Sequence, residues 1–360
     1  VTRAGPDPAT DPAVAARLLG REPLSFEPAR LQAVVRGRRV VVTGAGGTIG
    51  GELARLLAGL GAGTLTLIDH SEQALFWAGE SLREQAPALP VRKVLGSVTD
   101  RVLLDRVLAE ARPELVFHAA ACKHVALVEE NPVAGVETNV LGTDTLLGAC
   151  RAAGVARFLL VSTDKAAAPV SVMGATKHVA ERLVAAAAPG AGAWASVRFG
   201  NVLGSSGSVL EVFSRRLAAG LPLEIRGPGA TRYFMTVAEA GQLLVLAAGI
   251  AEPGDLLALE VGRPLAIEEL ARRLLRETAS ATRDGLGDPS LVRTRLGAGE
   301  RLHEDPAGGR AARPTAVESI RRLPADEPDP KLAEGLARLR AACAARDPVA
   351  TLEGLWRLVG

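Results

Sequence analysis

Cysteine is scarce in the 360-residue chain, and Cys122, Cys150 and Cys343 form neither an even set nor a CxxC pair. That argues against a disulfide framework and a zinc ribbon; no metal site is expected, and a reducing cytoplasm fits. Charge of one sign is not in excess either, since 42 Lys and Arg against 40 Asp and Glu leave a formal charge of +2. Without a dense basic run to track a phosphate backbone, no nucleic-acid partner is expected. Long hydrophobic runs are missing too. Arg, Glu, Gly or Pro breaks each apolar stretch well before membrane-spanning length, which argues against a transmembrane helix. The opening VTRAGPDPATDPAVAARLLG has no apolar core of the signal-peptide kind, so export is not supported and a cytoplasmic location is expected. Aromatic residues make up 3% of the chain, and its only tyrosine is Tyr233. A catalytic phenol has one place to come from.

What the chain does have is apolar content, 48%, enough for one large α/β domain or one with a small satellite. Residues 1–37 are weakly periodic and read as an arm. From residue 38, the apolar runs RRVVVTGA, TLTLID, VRKVLG, ELVFHAAA and RFLLVST alternate with helix-like spacing over 52–60, 72–84, 101–110 and 134–153. This alternation predicts an α/β fold with a Rossmann-type, doubly wound parallel sheet. The expected division is a dinucleotide-binding domain over 38–200 that also holds the catalytic motifs, a smaller substrate-binding region over 201–330, and C-terminal helices over 331–360.

The first strand runs into Gly44, Gly47 and Gly50, and a helix starts near Thr48. Small residues are needed where a backbone turns tightly and approaches a pyrophosphate at a helix N-terminus. The second strand ends in Asp69, placed to meet the adenosine ribose hydroxyls. A carboxylate there repels a 2′-phosphate, so NAD is favoured over NADP.

Two polar clusters follow, in FHAAACKHVALVEENP and LLVSTDKAAAPVSVMGATKHVAERL, at the carboxyl ends of the fourth and fifth strands. Ligands of open α/β sheets bind at that edge. At this point the sequence resembles the extended short-chain dehydrogenase/reductases, and among them the UDP-N-acetylglucosamine 4,6-dehydratases of polysaccharide biosynthesis. The motifs that carry the resemblance are VTGAGGTIG, HAAACKHV, EENP, NVLGT, STDKA, VMGATK, VRFGNVLGSSGSV, TRYFMT and, more weakly, GAGERLHED, spanning about residues 18–305. Extended reductases place a Tyr four residues before a Lys; here Met173 stands at that offset from Lys177, as in the membrane-linked long branch of the dehydratases. That branch's N-terminal membrane helices are not in this chain, which fits a naturally soluble member or a trimmed one.

The resemblance implies oxidation at C4 of a UDP-sugar, loss of water across C5 and C6, and return of the hydride to C6, with NAD regenerated each turnover. It implies Lys165 as base at C5, Asp164 as acid at the C6 oxygen, Thr163 as hydrogen-bond partner of O4, and Lys177 at the nicotinamide ribose. Asp164 or a water takes the C4 hydroxyl proton, since Met173 cannot. Ile49, Ser97, Val98, Ala119 and Ala120 join the glycines and Asp69 at the cofactor. Lys123, His124, Asn139, Arg198, Asn201 and Arg232 are the implied substrate contacts. Plainer readings stand beside these: a Thr-Asp-Lys triplet caps a helix, His118 is a core histidine, Asn139 is a structural amide, and Lys123 and His124 lie on the surface. Cys122, Ser97, Ala168 and Ser171 depart from the family pattern. A homo-oligomer is expected, because the apolar faces over 138–151 and 172–184 resemble the family's association helices, although they can equally be core. Alternative activities are a 4-epimerase or 5,6-dehydratase on the same scaffold, or a silent nucleotide-sugar or NAD binder.

Overall fold

Aliphatic strings such as Val40-Val41-Val42 and Leu65 to Ile68 leave almost no polar face, a pattern that suits strands covered by helices on both sides. The computed structural model describes residues 11–188, 190–281, 291–324, 326 and 329–360. Strands β1 (Arg39–Thr43), β2 (Thr64–Asp69), β3 (Val91–Leu95), β4 (Leu115–His118), β5 (Arg157–Val161) and β6 (Ala193–Arg198) lie in the order β6-β5-β4-β1-β2-β3, all parallel. Val41 sits between Thr66 of β2 and Val116 of β4. The order reverses between β1 and β4, and that switch point opens a crevice at the carboxyl ends of the strands.

Alternate residues feed two cores. Val40, Val42, Leu67, Phe117 and Leu159 pack with Leu53 and Leu57 of the helix Thr48–Gly59 and with Leu243 and Leu244 of Val237–Ile250. Val41, Ile68, Val116, Phe158 and Leu160 pack on the other face with Leu104 of Arg101–Ala111, Leu146 of Gly142–Ala152 and Val179 of Val172–Ala187. A third cluster, with Phe213, Ile225, Phe234 and Leu270, forms the smaller region.

Three expectations need correction. Residues 1–10 of the expected arm lie outside the described residues, but the rest is packed. The helix Pro12–Leu19 buries Val14, Leu18 and Leu19 in the third cluster, and Pro28–Val35 buries Leu31 and Val35 in the first. Each helix is only eight residues long, too short for its periodicity to stand out. Second, a boundary at residue 200 does not divide the sheet. Leu256–Leu259 extends it in parallel beyond β6, and Ile320–Leu323 then pairs antiparallel. Residues 282–290, 325, 327 and 328 of that region are outside the description. Third, the helix expected over 134–153 is interrupted by a π turn at Glu137–Leu141, a distortion common at functional sites. Of the two readings of the apolar faces over 138–151 and 172–184, association or core, the chain's own packing matches core. Leu336, Leu339, Leu355 and Leu358 of the helices Leu332–Ala344 and Pro348–Val359 share the core of Leu146, Val172, Val179 and Leu183. Among the described residues no helix is long and apolar enough to cross a membrane.

Candidate active site

The turn after β1 has the shape a pyrophosphate requires. Gly44 has φ of 67°, and a Cβ on it would lie 2.5 Å from the Ala120 nitrogen; one on Gly50 would lie 2.0 Å from the Gly44 oxygen. Gly47 begins the helix Thr48–Gly59 without a side-chain cap, so the first-turn N–H groups keep their capacity for an anion. Asp69, 7% exposed, ties the turn down: its Oδ2 accepts from Gly46 N at 2.8 Å and its Oδ1 from Ser71 N at 2.9 Å. Ala119 and Ala120 close the other side against Gly44. Ser97 is partly exposed and hydrogen bonds Thr99, Val98 is buried, and Ile49 packs toward the first core. These residues fit a dinucleotide, since any larger side chain at Gly44 or Gly50 would collide with backbone.

Beyond β5 the chain makes a single 3₁₀ turn, Asp164–Ala166, pinned to the next strand by Asp164 N donating to Phe199 O at 3.0 Å. Thr163 Oγ1 donates to Asp164 Oδ1 at 2.9 Å and accepts weakly from Lys165 N at 3.4 Å. Lys165 Nζ is 2.9 Å from the same Oδ1 and 3.4 Å from Asn201 Oδ1. Asp164 is 1% exposed, and its Oδ2 has no hydrogen-bond partner among the described residues. An unmet buried carboxylate oxygen costs roughly 1–3 kcal/mol or more, which a donor entering the crevice would relieve. The capping geometry of the plainer reading is therefore real, yet it leaves this oxygen unexplained. Met173 is buried in the second core, one turn before Lys177. Burial pushes the Lys177 ammonium down to about 8, with nearby Glu181 opposing the shift.

A family model described as polysaccharide biosynthesis protein matches residues 40–323. The chain belongs to that family. It is 34% identical over 291 residues to the capsular polysaccharide biosynthesis protein CapD of Staphylococcus aureus, covering 80% of this chain and 48% of CapD. Thus the chain spans about half the length of that relative. A UDP-N-acetylglucosamine 4,6-dehydratase (inverting) of Campylobacter jejuni is 32% identical over 216 residues, 58% of this chain and 63% of that protein. Among solved structures, the dTDP-glucose 4,6-dehydratase DesIV of Streptomyces venezuelae, with NAD and TYD bound, superposes with a TM-score of 0.65 at 25% identity, covering 74% of this chain and 87% of DesIV. The family resemblance read from the motifs is thereby shown, along with a nucleotide-sugar dehydratase/epimerase scaffold.

Within this family member the remaining expected residues separate. Asn201 reaches the Asp164–Ala166 turn, as its contact with Lys165 shows. Lys123 and His124 are exposed beside the smaller region, where the His124 ring packs on Gly207. Arg198 does not face the crevice. It is fully buried, with Nε and Nη2 on Glu181 at 2.8 and 2.6 Å, while Ser162 Oγ donates to Glu181 Oε1 at 2.5 Å. An arginine at the end of β6 points inward here because a carboxylate waits there. Arg232 is also committed, donating to the carbonyls of Thr231, Leu302 and Arg301 at 2.8, 3.0 and 2.8 Å. Asn139 is a structural amide: it accepts from Cys122 N at 2.8 Å and donates to Cys122 O and Thr176 Oγ1, both at 2.9 Å. His118 lies between Thr43 Oγ1 at 2.7 Å and Thr143 Oγ1 at 2.9 Å. Thr143 spends its own proton on Asn139 O, so His118 Nε2 carries the hydrogen; burial, aided by Lys177, pushes this histidine down to about 3. Sequence reasoning missed Glu181 and Glu304, both buried. Their only signal was a charged residue inside a recognised motif or an amphipathic helix.

Proposed function

We propose that this chain dehydrates UDP-N-acetylglucosamine to the UDP-4-keto-6-deoxy sugar, using bound NAD. The observation that carries the reading is the unpartnered Asp164 Oδ2 beside Lys165, on a site whose tyrosine position holds buried Met173. Proton transfer at C5 and the C6 oxygen calls for a neighbouring acid and base. An epimerase needs only a base at C4 and would leave the neighbouring Asp164 and Lys165 without a use at C5 and the C6 oxygen. The name of the Campylobacter relative supports UDP-N-acetylglucosamine as substrate, and the NAD held by DesIV supports the cofactor.

In this reading Gly44, Gly47, Thr48 and Gly50 hold the pyrophosphate, Asp69 the adenosine ribose, and Lys177 the nicotinamide ribose. NAD, when bound, supplies a place to keep the C4 hydride until C6 can receive it. Thr163 hydrogen bonds O4, and Asp164 accepts the O4 proton on its free oxygen. The new carbonyl acidifies the C5 hydrogen, which the Lys165 amine removes. Asp164 then protonates the C6 oxygen, which departs as water, and Lys165 returns a proton to C5. Turnover of UDP-N-acetylglucosamine in deuterium oxide tests the scheme by mass spectrometry. The product is expected to have lost one water and gained one deuterium at C5. A 4-epimerase would give an isomer of unchanged mass, and a dehydrated product free of solvent label at C5 would refute the mechanism.

A further inference from the structure

The Asp164–Ala166 turn does not hold itself. Two residues past its end, Ala168 has φ of 46°, in the left-handed region that is costly for a residue with a Cβ. Strain of this kind persists only where neighbouring contacts restrain the chain. At one end of the segment Asp164 N donates to Phe199 O, and at the other Arg301 donates to the Ala168 carbonyl. Between them the Ala166 carbonyl accepts from His178 Nδ1 at 3.1 Å, with Arg198 Nη2, itself anchored on Glu181, farther off at 3.4 Å. A carbonyl can only accept, so Nδ1 carries the hydrogen. His178 is buried, and burial, with Arg198 adding to it, holds the imidazole below its ordinary value against Glu181, Asp326 and the bond to Ala166. The neutral ring has one N–H, and it is spent on this carbonyl.

His178 lies four residues after Gly174 on the helix Val172–Ala187, so the two share a face. That face meets the turn at two successive carbonyls. A Cβ on Gly174 would lie 2.3 Å from the Lys165 oxygen, and His178 donates to the oxygen of Ala166. Lys177, given to the nicotinamide ribose in the dehydratase reading, is the immediate neighbour of His178. One helix thus carries both the lysine at the cofactor and the donor that holds the turn bearing Asp164 and Lys165. The reaction asks those two places to keep a fixed separation, because hydride transfer at C4 and C6 and proton transfer at C5 and the C6 oxygen act on neighbouring atoms of one sugar. A misplacement of about 1 Å between reacting groups can cost about 10²-fold in rate. Resting on the dehydratase reading, we infer that His178 is a positioning residue that holds the Asp164–Lys165 turn in register with Lys177 through the Ala166 carbonyl. It acts through the turn and moves no proton.

The test compares two replacements. His178→Leu fills the space without a donor, whereas His178→Asn puts an amide N–H close to the place of Nδ1. His178→Leu is expected to slow dehydration of UDP-N-acetylglucosamine about 10²-fold in kcat with KM little changed, and His178→Asn to recover most of that loss. Hydrogen–deuterium exchange without substrate gives a second readout. Over residues 162–168, where the N–H groups of Asp164, Ala166 and Ala167 are hydrogen bonded, exchange should rise about 10-fold in His178→Leu and stay near wild type in His178→Asn, while β1 keeps its protection in both. Wild-type kcat or unchanged exchange over 162–168 in His178→Leu, or no recovery in His178→Asn, overturns the inference. So does exchange that rises equally in β1, the mark of a general loss of stability. A wild-type protein that yields no product overturns the dehydratase reading instead, and exchange over 162–168 still decides whether His178 holds the turn.

Discussion

Arg198 offers a clean contest between two roles, because the change that would weaken diphosphate binding in one role would break a buried ion pair in the other. In Arg198→Met, Glu181 loses both guanidinium hydrogen bonds and keeps only Ser162 Oγ, in a place where the side chain is 3% exposed. Removing one partner of such a pair costs about 3–5 kcal/mol, since the other charge stays buried. An exposed pair such as Arg83 and Glu80, screened by solvent, contributes little. With domain stabilities of about 5–15 kcal/mol, the Arg198 loss is large enough to read by urea unfolding at neutral pH. The double variant Arg198→Met, Glu181→Leu should regain most of it, because no charge is left stranded. A single variant destabilised by less than about 1 kcal/mol, the range of an exposed pair, with sharply weaker nucleotide-sugar binding, would refute the buried-pair account.

Asp69→Ala removes the acceptor for Gly46 N and Ser71 N as well as the proposed ribose contact. Retention of NAD through chromatography should weaken by roughly 1.5–3 kcal/mol, and unchanged occupancy would count against the site. For Lys177, the folded value of about 8 lies below the unfolded lysine value of about 10.4, so the unfolded chain binds more protons between these limits. The burial penalty is complete below pH 8 and fades as pH rises through that window. Cofactor-free Lys177→Met should therefore be more stable than wild type at pH 7, by roughly 3 kcal/mol at 1.36 kcal/mol per unit, with the gap shrinking by pH 10. A gap independent of pH would contradict the burial of a charged amine.

The parts of this molecule legible in sequence are those written in local pattern. Gly44, Gly47 and Gly50 announce a turn because only small residues tolerate its contacts, and Asp69 follows at the end of the very next strand. The strands are legible because double-sided burial demands unbroken aliphatic runs. Arg198 was misread because its partner, Glu181, lies 17 residues away on a neighbouring helix, and nothing local distinguishes a guanidinium aimed at a ligand from one aimed at a carboxylate. Glu304 is passed over for the same reason: its burial depends on contacts made only in the fold, with Arg232 donating to the carbonyls of Arg301 and Leu302 and Arg198 to that of Pro306. The helices Pro12–Leu19 and Pro28–Val35 were hidden by their length, two turns giving too few apolar positions to define a face.

Buried polar groups in this fold divide by whether the protein itself completes them. Glu181 and Arg198 satisfy each other, His118 is held between two threonines, and Asn139 is held by the backbone of Cys122 and by Thr176. Each brings together elements that would otherwise drift: β6 with the helix Val172–Ala187, β1 with Gly142–Ala152, and the loop after β4 with the π turn. Their completeness makes them scaffold. Asp164 Oδ2 and the Lys177 ammonium have no such completion among the described residues. Both are carried by segments at the carboxyl edge of the sheet, on the turn after β5 and the helix that follows it. Ser196 Oγ, buried within β6, also lacks a hydrogen-bond partner among the described residues, so an open polar atom alone does not mark a site. Asp164 and Lys177 differ in being ionisable and in lying at the edge where an α/β sheet takes its ligands, the pattern expected when a substrate and a cofactor complete them.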